Sequence, residues 1–192
     1  MAKIKICGLR RVEDIEYVNT LKPDYIGFIL TAGFRRSIDK ETAKKLKSLL
    51  SNDINAVGVF VNDSKENIDY FLENGIIDTV QLHGDESPSF CKSINAPVIK
   101  YFSPKSFDKV NGYDVDYFLF DSGTGTGKEF NWENIPKVNK PFFLAGGINK
   151  DNINRAINTV NPYCIDLSSA VETNGVKDYK KIKEIMEIMK NE

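Results

Sequence analysis

The sequence predicts an α/β protein folded as a single closed (β/α)8 barrel, and three observations predict it. Short β-branched or aromatic runs recur eight times, segments with helical spacing lie between them, and polar and glycine residues gather at the carboxyl ends of the runs. Strands that alternate with helices require right-handed crossovers and a parallel sheet. The 192 residues divided among eight units give 24 per unit, a barrel with little room for insertions. A doubly wound open sheet shares this alternation. It normally carries a glycine-rich dinucleotide fingerprint after its first strand, and Cys7-Gly8-Leu9-Arg10-Arg11 is not one.

The strand candidates, in order, are KIKIC (3–7), YIGFIL (25–30), AVGVFV (56–61), TVQLH (79–83), PVIKYF (97–102), DYFLFD (116–121), PFFLA (141–145) and YCIDLS (163–168). The clearest helices are 39–50, 64–74, 149–158 and 177–190. Asp39 and Ser64 stand where N-caps belong, and Gly75 follows a helix as a C-terminal stop. Residues 103–115 hold Pro104 and Gly112 and support no more than a turn or two. No Pro/Gly/Ser-rich linker divides the chain, so residues 1–192 are expected to form one domain.

Composition narrows the function. Lys plus Arg number 26 and Asp plus Glu 27, a net charge of −1, which supplies no field to attract nucleic acid or an anionic membrane. Cys7, Cys91 and Cys164 are odd in number, widely spaced and without a C-x-x-C pair. They suggest neither a disulfide framework nor a zinc site, and they fit a reducing cytoplasm. The most apolar run, at 25–30, is too short to span a bilayer. One histidine, His83, excludes all-histidine metal sites and chemistry that needs two imidazoles.

Barrel active sites lie at the carboxyl ends of the strands. Strand alternation sends Lys3, Lys5 and Cys7 to one face and Ile4 and Ile6 to the other. The apolar face is expected to meet the helices, leaving Cys7 inside the mouth. By the same rule Asp121 aligns with Leu119 and Tyr117, Gln81 with His83, and Asp166 with Cys164 and Ser168. A thiol, two carboxylates, an amide and an imidazole thus converge on one cavity. Each has a plainer reading: a buried thiol is often a small hydrophobe, Asp121 can cap a loop, His83 can be a hydrogen-bonded core residue, and Gln81 and Asp166 can simply hold hydrogen bonds.

Ser122-Gly-Thr-Gly-Thr-Gly-Lys128 misses the Walker A pattern at its first glycine and after its lysine, and reads instead as a loop closing over a site. Gly146-Gly147 and Ser168-Ser169 follow the last two strands. Backbone N–H groups there form the usual barrel phosphate site, aided by a helix starting near Asn149. Arg35 and Arg36, after the second strand, could recognise a carboxylate with a bidentate fork. Trp132 is expected to anchor the loop after the sixth strand.

KICGL (5–9), VGVFVN (57–62), VQLHG (80–84), GTGKEFNW (125–132), LAGGI (144–148) and DLSSAVE (166–172) run in order along the chain. Together they resemble the phosphoribosylanthranilate isomerases of tryptophan biosynthesis. The resemblance implies a (β/α)8 barrel that performs an Amadori rearrangement with no cofactor and no metal. It implies Cys7 as catalytic base, Asp121 as catalytic acid and Arg36 as the holder of the anthranilate carboxylate. Phosphate is implied at Gly146, Gly147, Ser168 and Ser169, with Gln81, His83 and Asp166 as further substrate-binding groups. The implied partner is a small phosphosugar, taken up by a monomer or homodimer. Ala170 stands where the family commonly has glycine, and Asn131 where it commonly has aspartate. A related two-carboxylate sugar-phosphate isomerase and a non-catalytic phosphosugar-binding barrel are the competing readings; Cys7 in place of a carboxylate argues against the first, and retention of both Cys7 and Asp121 against the second.

Overall fold

The computed structural model describes residues 1–122 and 130–190. Eight parallel strands close into a barrel in sequence order: β1 (Lys3–Cys7), β2 (Tyr25–Ile29), β3 (Asn55–Phe60), β4 (Thr79–Leu82), β5 (Val98–Phe102), β6 (Tyr117–Phe120), β7 (Phe142–Leu144) and β8 (Cys164–Leu167). Closure comes from β1 pairing with β8, where Lys5 lies opposite Asp166. Most strands end a residue short of the predicted runs. His83, Asp121 and Ala145 lie just past their strands, yet each still donates its backbone N–H to the neighbouring strand, at 2.7, 3.2 and 2.8 Å. The polar residues at the mouth therefore hang on the last rung of the sheet.

Six α-helices are present among the described residues: α1 (Val12–Leu21), α2 (Lys40–Leu49), α3 (Lys65–Glu73), α4 (Pro88–Ser93), α5 (Ile153–Val160) and α6 (Tyr179–Lys190). The side chains of Asp39 and Ser64 accept the N–H groups of Thr42 and Asn67, capping α2 and α3 as expected. Gly75 follows α3 at φ +63°. After β5 the chain makes a nine-residue 3-10 helix, Pro104–Gly112, longer than the turn or two expected, and after β6 a shorter one, Trp132–Asn134.

Two helix starts differ from expectation. The segment 149–152 is a turn, and α5 begins at Ile153. Asparagine side chains divert the backbone there: Asn152 accepts the N–H of Asn149 and donates to Gly147 O, and Asn149 accepts the N–H of Asp151. At the other site, residues predicted to open the last helix instead complete a hairpin, β9 (Glu172–Thr173) with β10 (Val176–Lys177), and α6 starts at Tyr179. Asn174 and Gly175, both at positive φ, form its two-residue turn.

The sheet separates two apolar layers. Outside, Ile4, Ile6, Phe28, Phe60 and Phe120 pack on the helices. Inside, Tyr25, Val57, Ile99, Leu119, Phe143 and Cys164 fill the barrel. Tyr25 and Tyr163 close the amino end with hydroxyls 3.0 Å apart and the Lys3 ammonium over both rings. The interior above this plug is left for polar groups.

Candidate active site

A cavity of about 360 Å³ opens at the carboxyl ends of the strands. Its lining contains the ten residues to which the resemblance assigns roles: Cys7, Arg36, Gln81, His83, Asp121, Gly146, Gly147, Asp166, Ser168 and Ser169. Ile29, Val59, Val61 and Ile148 supply an apolar wall. This size and mix suit a small organic ligand with a few polar anchors.

Two glycines make room for the reactive side chains. Gly27 lies opposite Cys7 across the β1–β2 pairing, and a Cβ there would stand 2.6 Å from the Cys7 sulfur. Gly146 adopts φ +83°, and a Cβ there would stand 2.7 Å from Asp121 Oδ1 and 2.6 Å from Ser122 N. Asp121 also accepts a hydrogen bond from the Ser122 hydroxyl at 3.2 Å.

Beneath Cys7, the fully buried Lys5 ammonium donates to Asp166 Oδ2 at 2.8 Å. Burial opposes the charge on Lys5, but the Asp166 carboxylate and the Cys7 sulfur outweigh it and raise the lysine's pKa. Burial raises the Cys7 thiol above its ordinary value, with Lys5 pulling it back down. Lys5 thus shares the inward face with Cys7, as strand alternation expects, and makes an ion pair with Asp166. Asp166 Oδ1 and Gln81 Oε1 are buried with no hydrogen-bond partner among the described residues. His83 stacks on Tyr101 with ring centroids 4.0 Å apart, and its Nδ1 lies 3.0 Å from Gln81 Nε2. Burial, then the Lys5 charge, lower the His83 pKa to about 4, so its imidazole is neutral near pH 7.

At the β8 side, Ser168 donates its hydroxyl to Cys7 O at 3.1 Å, and Ser169 begins a 3-10 helix, Ser169–Val171. Gly146 and Gly147 both have positive φ. The helix expected immediately after them is displaced by the asparagine turn, so the α5 N-terminus begins six residues beyond Gly147. Arg36 lines the cavity, whereas Arg35 is largely exposed. The loop expected to close over the site falls chiefly on residues 123–129 and lies outside the described residues. Trp132 is buried beneath the Arg155 guanidinium, 4.6 Å from its ring centroid, which fits its expected anchoring role.

Glu172 and Lys177 are not among the residues the sequence singles out, and neither lines the cavity, but both contact residues that do. The Glu172 carboxylate accepts from Arg36 Nε at 2.7 Å and Nη2 at 2.8 Å, and Lys177 bridges Glu172 to Ser168 O. Burial works against the Glu172 charge, but Arg36 and Lys177 lower its pKa to about 2. The available signal was the Asn174-Gly175 pair, a strong hairpin mark that would have placed Glu172 and Lys177 opposite each other.

The sequence matches the family model described as N-(5'phosphoribosyl)anthranilate (PRA) isomerase over residues 4–188. It is 48% identical to the N-(5'-phosphoribosyl)anthranilate isomerase of Endomicrobium trichonymphae, with both chains covered completely. Its fold is similar to that of phosphoribosyl anthranilate isomerase from Thermotoga maritima, at TM-score 0.89 and 30% identity over all of both chains. It is similar, at TM-score 0.86 and 29% identity over all of both chains, to a phosphoribosyl anthranilate isomerase in complex with reduced 1-(o-carboxyphenylamino)-1-deoxyribulose 5-phosphate.

Proposed function

The chain belongs to the N-(5'-phosphoribosyl)anthranilate isomerase family, and on that premise we propose that Cys7 is the base and Asp121 the acid of its reaction. The enzyme converts N-(5-phospho-β-D-ribosyl)anthranilate into 1-(2-carboxyphenylamino)-1-deoxy-D-ribulose 5-phosphate, a step in tryptophan biosynthesis. The Asp121 carboxyl protonates the furanose ring oxygen as the C1–O bond breaks, and the nitrogen lone pair forms a Schiff base. The Cys7 sulfur, in the thiolate form that the Lys5 ammonium favours against burial, then removes the C2 proton, giving an enolamine that tautomerises to the ketone. C1 is reduced as C2 is oxidised, so no external electron carrier enters the balance.

Arg36 holds the anthranilate carboxylate through a bidentate contact. Backbone N–H groups around Gly146-Gly147 and Ser168-Ser169 hold the phosphate. Gln81, His83 and Asp166 receive the sugar, Asp166 Oδ1 and Gln81 Oε1 being open acceptors suited to its hydroxyls. The 192 residues work as one barrel domain, as a monomer or homodimer.

The observation that carries the acid–base reading is the meeting in one cavity of a thiol beside a buried ammonium and a carboxyl three strands away around the barrel. That separation lets two proton transfers address different sides of one ring. Asp121→Asn and Cys7→Ser are each expected to lower kcat by roughly 10²–10⁴, the range for a positioned acid or base. Near-normal kcat in either folded variant overturns the assignment.

A further inference from the structure

The geometry points to Glu172 as a positioning residue that sets which edge of Arg36 meets the substrate carboxylate and, through Lys177, ties that contact to the Ser168 turn. The inference rests on the reading of Arg36 as the carboxylate holder. A guanidinium offers five N–H donors arranged along two forked edges. Glu172 occupies the edge made by Nε and Nη2, with both contacts under 3 Å. The edge made by Nη1 and the outer Nη2 hydrogen is left for a second carboxylate.

The placement is rigid. Glu172 is 8% exposed and Lys177 is 3% exposed, and the Lys177 ammonium spans Glu172 Oε1 at 2.8 Å and Ser168 O at 2.9 Å. Ser168 in turn holds Cys7 O. The Arg36 stem also packs against Gly8, where an added Cβ would lie 2.6 Å from Arg36 Cδ. One carboxylate therefore links three elements of the proposed site: the carboxylate fork, the phosphate turn and the strand that carries the thiol. The charges support the same division of labour. Arg36 and Lys177, with the exposed Arg35 at 3.7 Å, carry three positive charges against the single negative charge of Glu172. The cluster keeps a net positive charge, which suits an incoming carboxylate.

The test uses reduced 1-(o-carboxyphenylamino)-1-deoxyribulose 5-phosphate and its phenylamino counterpart lacking the ring carboxylate. In Glu172→Gln the affinity for the carboxylated compound is expected to fall roughly tenfold, the loss of about one charge-assisted hydrogen bond. Affinity for the counterpart stays near the wild-type value, and for the true substrate KM rises far more than kcat falls. Equal weakening of both compounds, or of neither, overturns the inference. Arg36→Ala separates the two levels of the argument: if it fails to discriminate between the compounds in their loss of affinity, the Arg36 assignment itself is wrong. A crystal structure of the wild-type protein with the carboxylated compound does not depend on any variant folding. It should show Glu172 still on the Nε edge and the ligand carboxylate on the Nη1 edge. Glu172 displaced by the ligand, or a ligand carboxylate away from Arg36, contradicts the proposal.

Discussion

Two buried lysine–carboxylate pairs lie on opposite faces of the barrel sheet. Lys5 points inward and meets Asp166; Lys100 points outward and meets Glu86, with distances of 2.8 Å in both cases. In the outer pair, every acceptor is used. Lys100 donates to Leu82 O, Gly84 O and Glu86 Oε2, while the Glu86 oxygens also accept the N–H groups of Asn62 and Gly84. The inner pair is left open: Asp166 Oδ1 has no partner among the described residues, and the lysine faces the Cys7 sulfur. A saturated buried pair fixes two loops relative to each other. An unsaturated pair at a cavity wall holds charge where a ligand can use it.

The largest expected effect separates the two pairs by stability. Glu86→Gln leaves the Lys100 ammonium without its counter-charge, and breaking a buried pair costs about 3–5 kcal/mol. Chemical denaturation should show that loss, with kcat per folded molecule at the wild-type value. A stability change under about 1 kcal/mol would show that the outer pair is not a strut.

The next effect sharpens the inner pair. Gly27→Ala places a methyl group against the Cys7 sulfur, an overpacking worth about 1–3 kcal/mol. It is expected to push the thiol off Lys5 and lower kcat. Gly112→Ala, which meets nothing within 4 Å, is the matched control. Equal kcat in the two variants would detach the thiol's position from its chemistry.

The last effect, confined to acid pH, concerns His83. Its pKa is 6.5 when unperturbed and about 4 in the folded protein. The unfolded chain therefore binds a proton that the folded chain refuses, and stability falls as pH drops from 6.5 towards 4. The fall in Tm with decreasing pH across that window should be steeper for the wild type than for His83→Gln. Identical slopes would contradict the neutral, buried imidazole.

Local patterns carried the fold far. Eight β-branched runs set the strands to within a residue at most ends, because a strand buried on both faces must be apolar along its length. Alternation alone placed Lys5 and Cys7 inside the barrel. Their partners could not be read the same way: Asp166 is 161 positions from Lys5, and Glu172 is 136 from Arg36. Those contacts exist only once β8 closes on β1, and no local spacing encodes them. The helix expected at 149–158 starts four residues late, at Ile153, for a different reason. Asn149 and Asn152 compete for the backbone, a side-chain effect that apolar periodicity does not register. The roles of Cys7, Asp121 and Arg36 came from the family resemblance, whereas the convergence of Cys7 and Asp121 on one mouth followed from strand alternation, and Arg36 was placed only in the loop after the second strand.

The contrast between the open and the saturated pair meets its most direct test in kcat/KM for Asp166→Asn beside Glu86→Gln, each at a temperature where the variant is fully folded. Asp166→Asn removes the charge that holds Lys5 beneath the thiol. Losing a charge-assisted hydrogen bond of about 1.5–3 kcal/mol corresponds to a roughly ten- to hundredfold fall in kcat/KM, and Glu86→Gln should leave kcat/KM unchanged. Equal values for the two variants would contradict the account, because the inner pair would then be scaffold like the outer one.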